Sequence, residues 1–270
     1  MQSELYRNLK DATLERSEGL FIDTISIGLG YTAVTTSDGS CGVSFSYLDK
    51  KEGCTVVKDP MDYEGKPVRE LLKLLDSEKL VERSAAIALI NAVNNPASAE
   101  LPEDDGTLFA KLGIAKGTRC AMVGYFGPVV AQMEKAGAHL EVIDEGKGMG
   151  NAEHFFRYME SEAEALILTS TSIINGSTES ILGRLRSGAR CAMLGPTTPI
   201  MPEAFRFLPV DYLGGISVVN PEGVLAAVRH GKGTPAINRH AKKVLSQVHP
   251  PKSTTAGSSS RPGSLDTEEK

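Results

Sequence analysis

A stretch rich in glycine, proline and threonine, LGPTTPIMP at residues 194–202, follows an apolar run that is typical of a buried strand. Its three prolines each fix the backbone φ angle and remove an N–H donor, so this connection is stiff. Adjacent hydroxyl groups on a stiff loop are held in one arrangement, which suits the orientation of a polar small molecule by hydrogen bonds. We therefore predict that this loop contributes four ligand-binding residues, Gly195, Pro196, Thr197 and Thr198.

A second concentration of hydroxyl groups lies in TSTSIINGSTESIL, residues 169–182. Capping of a helix by Ser177 or Thr178 and a turn at Asn175 would explain the end of this segment. These structural roles leave the earlier hydroxyl groups unexplained, and we favour a pocket-lining role for them. The residues predicted to contact the ligand here are Thr169, Thr171 and Asn175.

The turn VGYFGP at residues 123–128 is a third candidate. Gly124 and Gly127 allow a close approach of the backbone to a ligand, and the helix that follows has an N-terminus that favours an anion. The turn lacks the G-x-G-x-x-G spacing of dinucleotide-binding folds, so a purely structural strand-to-helix turn is the alternative. Asp144 lies twenty residues beyond Gly124, where Rossmann-type domains place an acid against ribose hydroxyl groups. A solvated carboxylate at a strand end is an equally good interpretation.

Two residues of the N-terminal third complete the candidate site. Tyr31 lies beside two glycines in GLGYTAV, and Asn91 lies on the apolar face of a helix, where a side-chain amide needs a partner. Backbone groups supply that partner for most such asparagines, so a ligand contact for Asn91 is one of two alternatives. The candidate catalytic groups for proton transfer are the Asp144 carboxylate and the Tyr31 hydroxyl.

The spacing of the other reactive residues argues against several kinds of site. No cysteine pair has C-x-x-C spacing and the five histidines form no ligand pair, so we predict no metal site built from protein side chains. The chain has neither a G-x-S-x-G nucleophile elbow nor a P-loop lysine after the glycine turn. The four scattered cysteines are Cys41, Cys54, Cys120 and Cys191. No residue pattern identifies a cofactor.

The elements that must position these residues follow from the periodicity of the chain. Residues 1–100 are predicted to form a small α+β domain, with a hairpin of strands at 31–36 and 41–47. After a polar linker at 97–106, strands and helices alternate from 107 to 250, which predicts a doubly wound parallel sheet, an α/β fold. Ligands of such sheets bind beyond the carboxyl ends of the strands, where the hydroxyl-rich loops lie. The Ser/Pro/Gly-rich segment 251–270 is predicted to be a disordered tail.

Composition restricts the partners. The net charge of -5 gives a nucleic-acid partner no electrostatic support. Aromatic residues make up 6% of the chain, with no tryptophan, which argues against a stacking surface for bases or polysaccharide. No apolar run reaches the roughly 20 residues of a membrane helix, so we expect a cytoplasmic protein without a membrane partner. Assembly into a homo-oligomer is left open.

The motifs IGLGYTAV, GKPVRELLKLL, AAIALINA, VGYFGP, TSTSIINGSTESIL and GPTTPIMPEAF, taken in this order, resemble a bacterial and archaeal family of unknown function described as heavy-metal chelation proteins. The resemblance extends to about residue 245. It implies an enolase N-terminal-like domain followed by a Rossmann-like domain, with a site between the two. It also implies a role in condensation or hydrolysis during synthesis of pterin, flavin or siderophore-like chelators.

Three functions remain as hypotheses. The first is an enzyme that acts on a small heterocyclic or polar metabolite between the two domains. The second is a non-catalytic protein that binds a metal chelate or a nucleotide-like cofactor, in which case the ligand supplies the metal-donor atoms itself. The third is a methyltransferase, which requires S-adenosylmethionine.

Overall fold

The computed structural model describes residues 3–48 and 62–249, so the predicted tail at 251–270 and Cys54 lie outside the described residues. The helices of these ranges are α1 (Glu4–Arg16), α2 (Val68–Leu72), α3 (Leu80–Ala99), α4 (Leu108–Lys111), α5 (Gly127–Ala136), α6 (Ala152–Ser161), α7 (Thr171–Ile174), α8 (Thr178–Leu182), α9 (Pro221–Arg229) and α10 (Thr234–Ile237). The strands are β1 (Ile22–Ile27), β2 (Tyr31–Thr36), β3 (Cys41–Phe45), β4 (Arg119–Val123), β5 (His139–Ile143), β6 (Ala165–Thr169), β7 (Arg190–Leu194), β8 (Tyr212–Val218) and β9 (Ala241–Gln247). None of the described helices is both long and apolar enough to cross a bilayer.

The first three strands form a small antiparallel sheet in the order β1-β2-β3. Its hairpin has the predicted first strand, whereas the second ends at Phe45. One face packs on α3, so closely that a Cβ atom on Gly42 would lie 2.1 Å from the backbone nitrogen of Ala92. The other face shares an apolar cluster with α9 and α10. The small sheet is therefore enclosed between helices that come from both halves of the chain.

The remaining strands form a six-stranded sheet in the order β5-β4-β6-β7-β8-β9. Its first five strands are parallel, as the alternation predicts, and the predicted α/β class with a smaller α+β unit is confirmed. Strand β5 lies beside β4 on one side, and the next strand along the chain, β6, lies beside β4 on its other side. In open α/β sheets such a reversal marks the position of a ligand crevice, which here corresponds to the carboxyl ends of β4 and β6.

Strand β9 was not predicted. It pairs antiparallel with β8 and forms one edge of the sheet. Its sequence, AKKVLSQ, carries two lysines and little apolar alternation, because an edge strand exposes much of its surface. The backbone N–H of Asp104 donates to the carbonyl of Lys243 over 2.9 Å, so the predicted linker at 97–106 is fastened along this strand.

Helix α3 continues through Pro96 to Ala99 and so extends into the segment predicted as a linker. Proline removes one N–H donor but is tolerated here because only a single turn follows and the ring lies exposed at the surface. Residues of α1, α3, β4 and β6 share one buried apolar cluster, so the two sheets are joined by a continuous core.

Candidate functional site

Gly124 and Thr169 meet at the carboxyl ends of β4 and β6, the position of the expected crevice. Gly124 has a φ of 82°, and a Cβ atom there would lie 2.8 Å from the Thr169 Cβ. Its N–H donates to the Ile143 carbonyl of β5 over 2.8 Å. Only glycine satisfies both the left-handed backbone and this approach, so the predicted close contact of the turn is with the neighbouring strand.

The hydroxyl groups of Thr169 and Thr171 lie 2.9 Å apart at this edge, and both residues are half-buried. The next loop is in direct contact with them. Ser170 donates its N–H to the Leu194 carbonyl over 3.0 Å, and a Cβ atom on Gly195, whose φ is 132°, would lie 2.6 Å from the Ser170 hydroxyl oxygen. The structure thus brings the predicted residues after β6 and β7 together.

Within the proline-rich loop, the two threonine hydroxyls face inward. Thr198 donates to the carbonyls of Gly195 and Gly214, over 2.8 and 2.9 Å, and Thr197 accepts from the N–H of Phe45 over 2.9 Å. Both threonines are buried, whereas Gly195 and Pro196 are half-buried. The threonines fix the shape of the loop and join it to β3, and the half-buried pair lies at the edge of the sheet.

Asn91 joins the small sheet to the same loop. Its side-chain amide donates to the carbonyls of Val43 and Thr197, over 2.8 and 3.2 Å, which is the backbone-satisfied alternative stated above.

Two further asparagines of α3 act in the same way, and the sequence analysis missed them. Asn94 donates to the Ile200 carbonyl over 2.7 Å, and Asn95 exchanges two hydrogen bonds with the backbone of Val218. With Asn91 they have the spacing of one helical face in an otherwise apolar helix. Three side-chain amides on one face of a buried helix need hydrogen-bond partners, so this spacing indicates that the face lies against the backbone of neighbouring elements.

Asp144 lies after β5, next to the turn that follows β4. Its carboxylate accepts from the N–H groups of Tyr125 and Lys147, over 2.9 and 3.0 Å, and lies 3.3 Å from the Lys147 ammonium. Burial raises the pKa of Asp144, but these hydrogen bonds and the Lys147 charge outweigh it and lower the pKa below its usual value. The carboxylate is therefore anionic at neutral pH and holds the β4 turn in place.

Tyr31 is the first residue of β2 and lies across from Phe45 in the hairpin register. Its hydroxyl shares a hydrogen bond with the Thr234 hydroxyl over 2.7 Å. Burial raises the pKa of Tyr31, because the phenolate would be poorly solvated, so the hydroxyl stays protonated. Its ring meets the Phe45 ring edge-on with 6.1 Å between centroids, and Phe45 meets Tyr47 in the same way at 6.0 Å.

Asn175 and Gly127 belong to the helical segments that follow β6 and β4. Asn175 is exposed, and its side-chain oxygen accepts from the N–H and hydroxyl of Ser177. It follows the end of α7, where Tyr6 and Arg83 hold the Ile173 and Ile174 carbonyls. Gly127 is the half-buried first residue of α5.

Two family models match the chain, and both are described as "Putative heavy-metal chelation". The model of the DUF364 family matches residues 107–247, and that of DUF4213 matches residues 10–94. The chain belongs to the DUF364 family. The resemblance drawn from the motifs is therefore confirmed.

Solved structures of DUF364 proteins of unknown function share this fold. The protein of Pyrococcus horikoshii is 22% identical with a TM-score of 0.74, covering 90% of this chain and 100% of its own. That of Desulfitobacterium hafniense is 18% identical with a TM-score of 0.71, covering 89% of this chain and 98% of its own. An uncharacterized protein of Methanocaldococcus jannaschii is 23% identical over 244 residues, which are 87% of this chain and 93% of that protein.

The description of the DUF364 family raises the question of whether this chain has ligands for a heavy metal. Within residues 3–48 and 62–249, no three His, Cys, Asp or Glu side chains are placed to hold one ion. The described thiols are buried in three separate apolar clusters, and burial raises the pKa of Cys41 to about 12 and of Cys120 to about 11. The pKa of Cys191 is raised as well. Protonated, separated thiols do not fit a thiolate-bound metal.

A separate groove of about 530 Å³ lies on the outer side of α6 in this DUF364 chain. It is lined by Ala152, Glu153, Phe156, Arg157, Glu160 and Arg184. None of these residues belongs to the candidate site.

Proposed function

We propose that the chain binds a small polar ligand at the carboxyl edge of its large sheet, in the crevice between β4 and β6. The observation that carries this proposal is the reversal of the strand order between β4 and β6, at whose carboxyl ends Gly124 and Thr169 lie. Ligands of open parallel sheets bind at this position because the loops there diverge. The paired hydroxyls of Thr169 and Thr171, 2.9 Å apart, supply donors and acceptors beside it.

We further propose that the ligand is a metal chelate, which brings its own donor atoms. The polar groups at this edge are neutral hydroxyls and backbone amides, together with the Asp144 carboxylate, which is paired with the Lys147 ammonium and already accepts hydrogen bonds from the N–H groups of Tyr125 and Lys147. Such groups bind the organic part of a chelate by hydrogen bonds and leave the metal to its chelator. The description of the family agrees with this class of ligand.

Catalysis on the bound molecule is the second candidate, as condensation or hydrolysis in the synthesis of a pterin, flavin or siderophore-like chelator. The position of Asp144 beside the β4 turn favours it, since that carboxylate borders the crevice. Efficient proton transfer needs a pKa near the working pH. The pKa of Asp144 is lowered and that of Tyr31 is raised, so we place binding ahead of catalysis.

Thr171→Val tests the proposal, because valine keeps the shape of threonine and removes its hydroxyl. Tris(picolinato)cobalt(III) and tris(prolinato)cobalt(III) are suitable probes, since both are neutral and neither exchanges its metal with protein histidines. We expect Thr171→Val to weaken binding about threefold to tenfold, the value of one hydrogen bond. Isothermal titration calorimetry measures the change.

Thr178→Val is the matched control. The hydroxyl groups of Thr178 and Ser172 form a hydrogen bond, as those of Thr169 and Thr171 do, and its length is 2.8 Å. Unlike Thr169 and Thr171, however, Thr178 and Ser172 are buried. The control is expected to lose stability and to keep the affinity of the unmodified chain. Equal affinities for Thr171→Val and the unmodified chain, or no binding of either complex, would contradict the proposed site.

A further inference from the structure

We propose that one end of the small sheet binds the surface of an anionic lipid membrane, through an apolar turn and a basic loop beside it. The turn joins β1 to β2 at residues 28–30, and the side chain of Leu29 at its centre is 78% exposed. Exposed apolar side chains that lie together on a protein surface mark a site for an apolar partner. Lipid binding at this end of the sheet is independent of the small-molecule ligand proposed above.

Two further apolar side chains are exposed at the same end of the small sheet. The N–H of Ser46 donates to the Gly30 carbonyl over 3.1 Å, so the end of β3 lies beside the turn. Near Ser46, the side chains of Phe45 and Leu48 are 37% and 40% exposed. Leu29 is therefore the most exposed member of a group of three apolar residues.

The basic loop, residues 229–232, lies directly against this turn. A Cβ atom on Gly231 would lie 3.4 Å from the Leu29 Cδ1 atom, and a Cβ atom on Gly30 would lie 3.4 Å from the Lys232 carbonyl oxygen. The loop continues from α9, and this helix packs on β1 and β2. The turn and the basic loop are therefore held side by side by the packing of α9 on the small sheet.

The charge of this region is opposite to that of the whole chain. The chain has five Lys and Arg residues and no Asp or Glu between residues 223 and 249, although its net charge is -5. Arg229 and Lys232 are exposed, and neither forms an ion pair within the part of the chain that the structure describes. The acidic residue of α9, Glu222, lies two helical turns before Arg229. Exposed cations without carboxylate partners attract an anionic surface.

The shape of this end of the sheet favours a bilayer over a protein partner. Leu29 projects from a turn and has few neighbours of its own, so a folded partner would have to supply the whole pocket for it. A bilayer accepts a projecting aliphatic side chain among its acyl chains, while anionic headgroups attract the cations beside it. Binding of this kind needs no membrane-spanning helix, and the expectation of no membrane partner rested on the lack of such a segment.

Co-sedimentation with vesicles tests the proposal, using equal parts of phosphatidylcholine and phosphatidylserine, with pure phosphatidylcholine as the neutral reference. We expect the unmodified chain to partition onto the anionic vesicles and not onto the neutral ones. Leu29→Asn should weaken this partitioning about tenfold, because the burial of one leucine side chain is lost. Lys232→Gln should weaken it about fivefold, the value of one cation near an anionic surface.

Val219→Asn and Lys135→Gln are the matched controls. Val219 is 64% exposed but precedes α9, so it lies at the opposite end of that helix from the basic loop. Lys135 is exposed near the end of α5, which belongs to the large sheet. Both controls are expected to partition as the unmodified chain does.

Equal partitioning of the unmodified chain onto neutral and anionic vesicles, or onto neither, would overturn the proposal. Equal losses in Leu29→Asn and Val219→Asn would do so too, since they would show that the turn has no special role. Poly-L-glutamate distinguishes the other kind of anionic partner. If the chain binds this polymer through Lys232 but does not bind the vesicles, the surface belongs to an acidic protein and the lipid assignment is wrong.

Discussion

Replacing Gly42 by alanine is expected to lower the free energy of unfolding by about 3 kcal/mol, the upper part of the range for an overpacked core. The added Cβ would lie 2.1 Å from the Ala92 nitrogen and 2.3 Å from the Ala88 carbonyl oxygen. Both are backbone atoms of α3, so relief requires the whole helix to move away from the small sheet. Because Asn91 lies on the same helix, we also expect weaker binding of a chelate at the crevice.

Gly39→Ala is the matched control, since Gly39 lies in the turn of the same hairpin. Its φ is 82°, but no atom lies within 4 Å of an added Cβ. The control should lose only the cost of a left-handed alanine, about 1 kcal/mol. Urea unfolding followed by circular dichroism compares the two, and equal midpoints would show that the close approach of β3 and α3 is wrong.

Gly124→Ala is expected to reduce the affinity for a bound chelate more than about tenfold, since a clash beside a ligand adds to the strain of a left-handed alanine. The new methyl group would lie 2.8 Å from the Thr169 Cβ, at the reversal of the strand order. Thr169 must then move, and its hydroxyl pair with Thr171 is lost. Calorimetry with tris(picolinato)cobalt(III) measures the effect.

Gly113→Ala carries the same backbone strain without the clash. Its φ is 70° and the space around an added Cβ is open. It precedes β4 and so lies toward the opposite edge of the sheet from Gly124. We expect this variant to bind as the unmodified chain does, and a comparable loss in both variants would mean that general strain, not the crevice, governs binding.

The parallel part of the fold was predictable because each strand is short, apolar and followed by a helical segment. The hairpin was predictable from Asp38-Gly39, whose turn residues set the register. Strand β9 was not, because lysines on an edge strand resemble a solvated loop in the sequence. Helix α3 continues past Pro96 only as far as Ala99, and the apolar periodicity of the sequence does not reveal where the helix ends.

The residue types of the candidate site were predictable, but the direction of each side chain was not. Hydroxyl groups in a stiff loop suggest ligand contacts, yet Thr197 and Thr198 satisfy backbone groups of Phe45 and Gly214 that only the tertiary fold brings near. Three of the few aromatic rings, those of Tyr31, Phe45 and Tyr47, also meet in one place. Composition averages over the chain and does not report such local contacts.

Amide hydrogen exchange with and without tris(picolinato)cobalt(III) tests the central claim most directly, because it locates the ligand on the native chain. Binding at the crevice should slow exchange in the segments 123–128, 168–172 and 194–198 together. Slower exchange confined to α6 and Arg184, which line the separate groove, would place the ligand elsewhere and contradict the account.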